Sequence, residues 1–154
     1  MMYRDREVCH AVYSGIPPGT PVFGLAGTTH EEVAKELNLP FVAELYGDVK
    51  YSKDGTLVID RKKKAWSSED IKTHISSQIE NSSVTAVTGE EVELPIGVHS
   101  PTSRPSTRYL LADLLCAQDH PVSLCCHSDS PGAVQIVTAA RQIVDEFNKA
   151  QGYT

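Results

Sequence analysis

Basic residues are in short supply. Lys and Arg number 14 against 20 Asp and Glu, a net charge of −6. That balance argues against a nucleic-acid partner, which would need a positive face. The one basic run, Arg61-Lys62-Lys63-Lys64, reads as a solvated loop. No apolar run approaches membrane-spanning length, and the N-terminus lacks the apolar core of a signal peptide. The expectation is a cytoplasmic protein with no membrane partner. Cys9, Cys116, Cys125 and Cys126 show no CxxC spacing, which predicts reduced, structural thiols and no cysteine metal site. The histidines at 10, 30, 74, 99, 120 and 127 show no HxxxH spacing, the usual mark of a metal pair on a helix. No P-loop and no internal repeat is visible.

What is present has the rhythm of an α/β chain. Asp5 to Ser14 reads as a short helix, ended by Gly15-Ile16-Pro17-Pro18-Gly19. Pro21 to Ala26 reads as a strand. Thr28 with Glu31 fits a capping box, and Val33, Ala34 and Leu37 give the next helix its apolar stripe. Phe41 to Tyr46 is a second strand, so short connections predict a parallel β-α-β unit. Asp54-Gly55 marks a tight turn in an extended loop or small hairpin. Ser67 with Asp70 opens a helix to about Glu80, with Ile71, Ile75 and Ile79 four apart. Val84 to Leu94 reads as a hairpin turning at Gly89.

Around Leu124 to Val134 the chain passes from an apolar run, Val122 to Cys126, to a helix. Ser130 suits an N-cap and Pro131 the first helical position. Ala133, Val137, Ala140, Val144 and Phe147, with Ile136 and Ile143 beside them, pattern the helix. His127 and Asp129 then sit where a strand ends and a helix begins, the rim where α/β proteins bind ligands. The plain alternative is that Asp129 and Ser130 cap the helix while His127 serves the core. Glu44 and Asp48, at another strand end, can reach the same cleft. Their plain readings are a paired Glu44 and a solvated Asp48.

Val98 to Gln118 fits none of this. It begins with Pro, Ser, Thr and Arg and passes into Tyr109-Leu110-Leu111-Ala112-Asp113-Leu114-Leu115. We read residues 98–118 as a non-core insertion in a single domain covering 1–154. Two origins stand. One is a translated intron, since Val codons begin GT, Gln can be CAG, and Ala112-Asp113 can be written with a CTGAC branch sequence. The other is a genuine loop carrying a helix from about Thr107 to Ala117.

Four stretches carry a resemblance. They are Val22-Phe23-Gly24-Leu25-Ala26-Gly27, Ala43-Glu44-Leu45-Tyr46-Gly47-Asp48, Tyr51 to Leu57, and Cys126-His127-Ser128-Asp129-Ser130-Pro131-Gly132-Ala133. In order and spacing the chain resembles the C-terminal half of the LamB/YcsF family of lactam utilisation proteins, which includes the A subunit of the ATP-dependent 5-oxoprolinase. The last stretch is the most specific: the family usually has Val-His-Gly-Asp-Thr-Pro-Gly-Ala there, against Ser128 and Ser130 here. The family's Asp-Leu-Asn-Cys-Asp, Gly-Phe-His-Ala-Gly-Asp, Gly-Ala-His-Pro and Lys-Pro-His-Gly motifs are not in the chain.

The resemblance implies an α/β fold, a partial (β/α) barrel of the glycoside hydrolase/deacetylase type without its N-terminal half. It implies hydrolysis of 5-oxoproline, a lactam, to glutamate, with ATP bound by a partner and other 5-oxoprolinase subunits as partners. His127 and Asp129 are the expected catalytic pair. Glu44, Asp48 and Ser128 are the expected substrate contacts, with any metal left open. The rival readings are a non-catalytic binding element of a split or truncated protein, and a carbohydrate-active hydrolase or deacetylase.

Overall fold

The computed structural model describes residues 5–60, 62, 64–95 and 122–152; the segment 98–118 lies outside them. The chain divides into two compact units. One holds Met1–Leu45 with Asp119–Ser123, the other Tyr46–Gln118 with Leu124–Thr154.

In the first unit, α1 (Arg6–Tyr13) begins where the Asp5 carboxylate accepts from the backbone N–H of Glu7 at 2.9 Å. That cap satisfies donors the helix leaves open. Cys9 and Tyr13, four apart, are its buried residues. They pack against α2 (Thr29–Glu36), whose Val33 and Ala34 are fully enclosed. Val22, Leu39 and Phe41 complete this small core. Burying one such aliphatic side chain contributes about 1.5–3 kcal/mol. The α2 start departs from the capping box. Thr28 turns its hydroxyl back to donate to the Leu25 carbonyl at 2.6 Å, and Glu31 accepts from Gly27 N–H at 2.8 Å. Asn38, at φ 53°, ends the helix in the left-handed conformation. Strands β1 (Val22–Gly24) and β2 (Phe41–Tyr46) then pair in parallel, Val22 beside Phe41 and Gly24 beside Ala43. The predicted β-α-β unit is therefore there.

The second unit carries two small antiparallel hairpins. One is β3 (Lys50–Tyr51) with β4 (Leu57–Val58), the other β5 (Ser83–Thr85) with β6 (Glu91–Glu93). Gly55 and Gly89, at φ 72° and 89°, take the turn positions that a side chain would strain. Between the hairpins runs α3 (Ser68–Asn81), capped by Ser67 accepting from Asp70 N–H at 3.0 Å. It packs against α4 (Ala133–Ala150), which follows β7 (Ser123–Cys125). Two readings of α4 need correction. Its buried stripe is Ile136, Ala139, Ala140 and Ile143, while Val137 is 51 % exposed. Two overlapping stripes are written in the sequence, and the one with two isoleucines faces α3. The helix also starts later than expected, with Gly132 at φ 80° as its N-cap residue. Ser130 and Pro131 belong to the turn before it. No helix among the described residues is long and apolar enough to cross a membrane.

Candidate functional site

The site lies within the second unit, in the turns that follow β2 and β7. Gly47 N–H donates to the Cys125 carbonyl at 2.9 Å, which fastens the two strand ends together. A glycine leaves room for this approach: a Cβ at position 47 would stand 3.1 Å from Cys126 Sγ and 3.4 Å from Ile75 Cδ1. The joint brings Asp48 beneath His127.

Asp48 is not the solvated loop residue of the plain reading. Its side chain is completely enclosed, whereas that of His127 is 38 % exposed. The Asp48 Oδ1 lies 2.8 Å from His127 Nδ1. Its Oδ2 accepts from the His127 backbone N–H at 3.1 Å and from the Ser130 hydroxyl. A carboxylate can only accept, so His127 Nδ1 carries the proton toward it and Nε2 is the basic nitrogen. Burial pushes the Asp48 pKa up. The hydrogen bonds from Ser130 and from the His127 ring and backbone, with the charge of His127, outweigh it, and the net shift is below the ordinary 3.8. Asp48 is thus a buried anion that orients His127. Both its oxygens are engaged and none of its surface is open, which suits it poorly to the substrate contact expected of it. The Tyr46 ring lies nearly parallel to the imidazole, 16° apart with centroids at 6.3 Å.

Beneath the Asp48 turn lies a buried polar network that pattern reading did not single out. Tyr51 and Gln78 are fully enclosed. The Tyr51 hydroxyl accepts from Tyr46 N–H at 3.2 Å and donates to Gln78 Oε1 at 3.1 Å. The Gln78 amide donates to the carbonyls of Tyr46 and His74. His74 Nε2 sits 3.2 Å from the Tyr46 carbonyl and 3.0 Å from that of Val49. Trp66 Nε1–H donates to the Asp48 carbonyl at 3.3 Å. Among the described residues no buried side-chain polar atom is left without a partner. The signal available in the sequence was His74 and Gln78, four apart on α3 beside three buried isoleucines.

The other expected site residues are placed as follows. Ser128 and Asp129 are exposed on the turn after β7. The carboxylate within hydrogen-bond distance of His127 Nδ1 is that of Asp48. Glu44 is half-buried on β2 in the first unit. Cys126 is a free thiol. Burial first, then the charge of Asp48 and the presence of Cys125, push its pKa up to about 11, so it is protonated near neutral pH and a poor nucleophile.

An enclosed carboxylate hydrogen-bonded behind a half-exposed imidazole is an arrangement able to move protons. Known proteins put a family to the chain. The LamB/YcsF family matches residues 1–106, and the chain belongs to that family. It is 48% identical over 153 residues to the lactam utilization protein lamB of Emericella nidulans, an alignment covering 99% of this chain and 52% of that protein. It is 33% identical over 128 residues to the A subunit of 5-oxoprolinase from Mycolicibacterium paratuberculosis, covering 82% of this chain and 41% of that one. The chain therefore spans about half the length of the curated relatives it matches. Its α/β fold is that of the crystal structure of a lactam utilization protein from Thermus thermophilus. The TM-score is 0.64 at 22% identity, over 94% of this chain and 49% of that one.

Proposed function

We propose that this chain supplies an Asp48–His127 acid–base pair for opening a lactam, with 5-oxoproline as substrate and glutamate as product. The observation that carries the reading is the 2.8 Å contact between His127 Nδ1 and a fully enclosed Asp48 carboxylate. The names of the relatives, a lactam utilization protein and the A subunit of 5-oxoprolinase, supply the substrate class.

Hydrolysis of an unstrained amide needs a proton removed from the attacking water and a proton delivered to the departing nitrogen. His127 Nε2 does both in turn. It accepts the proton as oxygen adds to the carbonyl, and returns it to nitrogen as the C–N bond breaks. Asp48 holds the ring and stabilises the imidazolium between the two steps. Ser128 and Asp129, exposed beside His127, contact the polar end of the substrate. In this reading ATP drives the reaction and is bound by one of the other 5-oxoprolinase subunits. The reaction belongs to the cytoplasm. In this reading the described strands and helices form part of a (β/α) barrel.

A second reading is favoured by the half-length match to the relatives: the chain is a binding element that completes a site carried elsewhere. Glutamate release from 5-oxoproline with ATP separates the two. Wild-type chain and His127→Gln are assayed alone and with the other 5-oxoprolinase subunits. Activity that needs the partners and disappears in His127→Gln supports the first reading. Activity indifferent to His127→Gln overturns the acid–base pair. Silence of the wild type in both settings favours the binding element.

A further inference from the structure

Ser130 stands where a helix cap is expected, yet its hydroxyl is spent elsewhere. The helix begins at Ala133 with Gly132 as its N-cap residue. Ser130 is 6% exposed, and its hydroxyl donates to Asp48 Oδ2. The turn between the two segments is tight: Ser130 N–H donates to the His127 carbonyl at 3.3 Å, and Ala133 N–H to the Ser130 carbonyl at 3.0 Å. One short turn thus delivers both the imidazole and the hydroxyl to the same carboxylate.

We propose that Ser130 is a positioning residue: it holds Asp48 ionised and in place, and through Asp48 fixes the proton of His127 on Nδ1. The proposal deepens the acid–base reading above and rests on it for its consequence in catalysis. Three donors reach Asp48 from this segment: the His127 ring, the His127 backbone and the Ser130 hydroxyl. Both histidine donors travel with His127 itself. Ser130 is the donor that keeps its grip when the imidazole moves or changes charge during a proton transfer. It also fills the second oxygen, so the first is left to Nδ1. A hydrogen bond to the charged form lowers a carboxylate's pKa, and its loss in a buried place raises it. The other groups that face or act on Asp48 are His127, His74 and Cys126, with Lys50 acting on His74. None of them changes in the variants below.

The test uses Ser130→Ala and Ser130→Thr in the full chain. NMR follows the Asp48 carboxyl carbon and the two ring nitrogens of His127 through a pH titration. In Ser130→Ala the Asp48 midpoint moves up in pH, and the ring-nitrogen shifts lose the Nδ1–H pattern in favour of a mixture. Ser130→Thr, which keeps the hydroxyl, restores both. With 5-oxoproline, ATP and the partner subunits, kcat falls about tenfold in Ser130→Ala with little change in KM, and Ser130→Thr recovers it. If Ser130→Ala lowers the melting temperature but leaves the Asp48 midpoint and the ring-nitrogen pattern where they were, the hydroxyl is merely structural and the proposal is overturned. The NMR readings need no turnover, so they decide the role of Ser130 even if the chain proves inactive on lactams.

Discussion

Two histidines use the same ring nitrogen to meet partners of opposite chemistry. His30, in the first turn of α2 in the first unit, meets the Tyr13 hydroxyl through Nδ1 at 2.5 Å. Burial, and then Cys9, push the Tyr13 pKa up, so the phenol is neutral and can either donate to the ring nitrogen or accept from it. His127, after β7 in the second unit, meets a buried carboxylate through the same nitrogen. The neutral phenol satisfies a ring nitrogen and asks nothing further of it. The anion selects one tautomer and stabilises the charged ring, which a proton-transferring group needs. What separates the two histidines is the chemistry of the partner: a neutral phenol for His30, a buried carboxylate for His127.

The sharpest way to break this comparison is to neutralise the anion. Asp48→Asn keeps the shape and removes the charge. We expect lactam hydrolysis to fall about 100- to 10,000-fold, measured as initial rate with the partner subunits present. His30→Asn should stay within about twofold of wild type. Equal losses in the two variants would erase the distinction.

The next effect concerns what holds Asp48 in place. Gln78→Ala removes a buried amide, leaving the Tyr51 hydroxyl proton without its acceptor and the Tyr46 carbonyl with His74 Nε2 alone. The expected cost is about 3 kcal/mol of unfolding free energy, read from urea denaturation. A loss below roughly 1 kcal/mol would mean that water replaces Gln78 easily and the network is not rigid.

His74 gives a smaller, pH-dependent effect. Burial is the largest influence on it and lowers its pKa below the ordinary 6.5; the hydrogen bonds to Tyr46 and Val49 and the charge of Asp48 oppose that, while Lys50 adds to it. A depressed folded pKa stabilises the protein above the unfolded value, and that contribution is lost as pH falls below it. The melting temperature should therefore hold level above about pH 6.5 and decline below it. His74→Gln, which keeps a donor and cannot titrate, should flatten the upper part of that decline. Asp48, whose pKa lies below its ordinary 3.8, adds its own loss only in more acid solution. An unchanged slope in His74→Gln would show that another group sets it.

These residues also show how far the sequence could be read. The β-α-β unit was legible because Val22, Val33, Ala34 and Phe41 sit at unambiguous periods with Gly and Pro between them. The hairpin at Gly89 was legible for the same local reason. That Asp48 could reach the cleft of His127 was legible from their shared placement at strand ends; that Asp48 and not Asp129 pairs with the imidazole was not, because 79 residues separate the two and nothing local records a pairing across that distance. Asp48 looked solvated since Gly47-Asp48 is a common turn pair. Ser130 looked like a cap since Ser before Pro usually is one. In both cases a tertiary partner outbid the local preference. The α4 stripe failed differently: Val137 and Ile136 are equally apolar, and only the packing of α3 chooses between them.

The smallest expected effect tests the neutral side of the comparison. Tyr13→Phe deletes the hydroxyl that meets His30 Nδ1 and leaves the buried ring in place. A neutral hydrogen bond contributes about 1 kcal/mol net. His30 is half-exposed, so water can take over its nitrogen, and the loss should fall at about 0.5–1 kcal/mol. The hydrolysis rate and the Asp48 titration should stay as in wild type, since neither residue of this pair belongs to the unit that holds Asp48 and His127. Urea denaturation and the lactam assay on one preparation check both halves. A rate loss in Tyr13→Phe comparable to that in Asp48→Asn would mean that a neutral partner positions a working histidine as well as an anion does, and the distinction between the two histidines would fall.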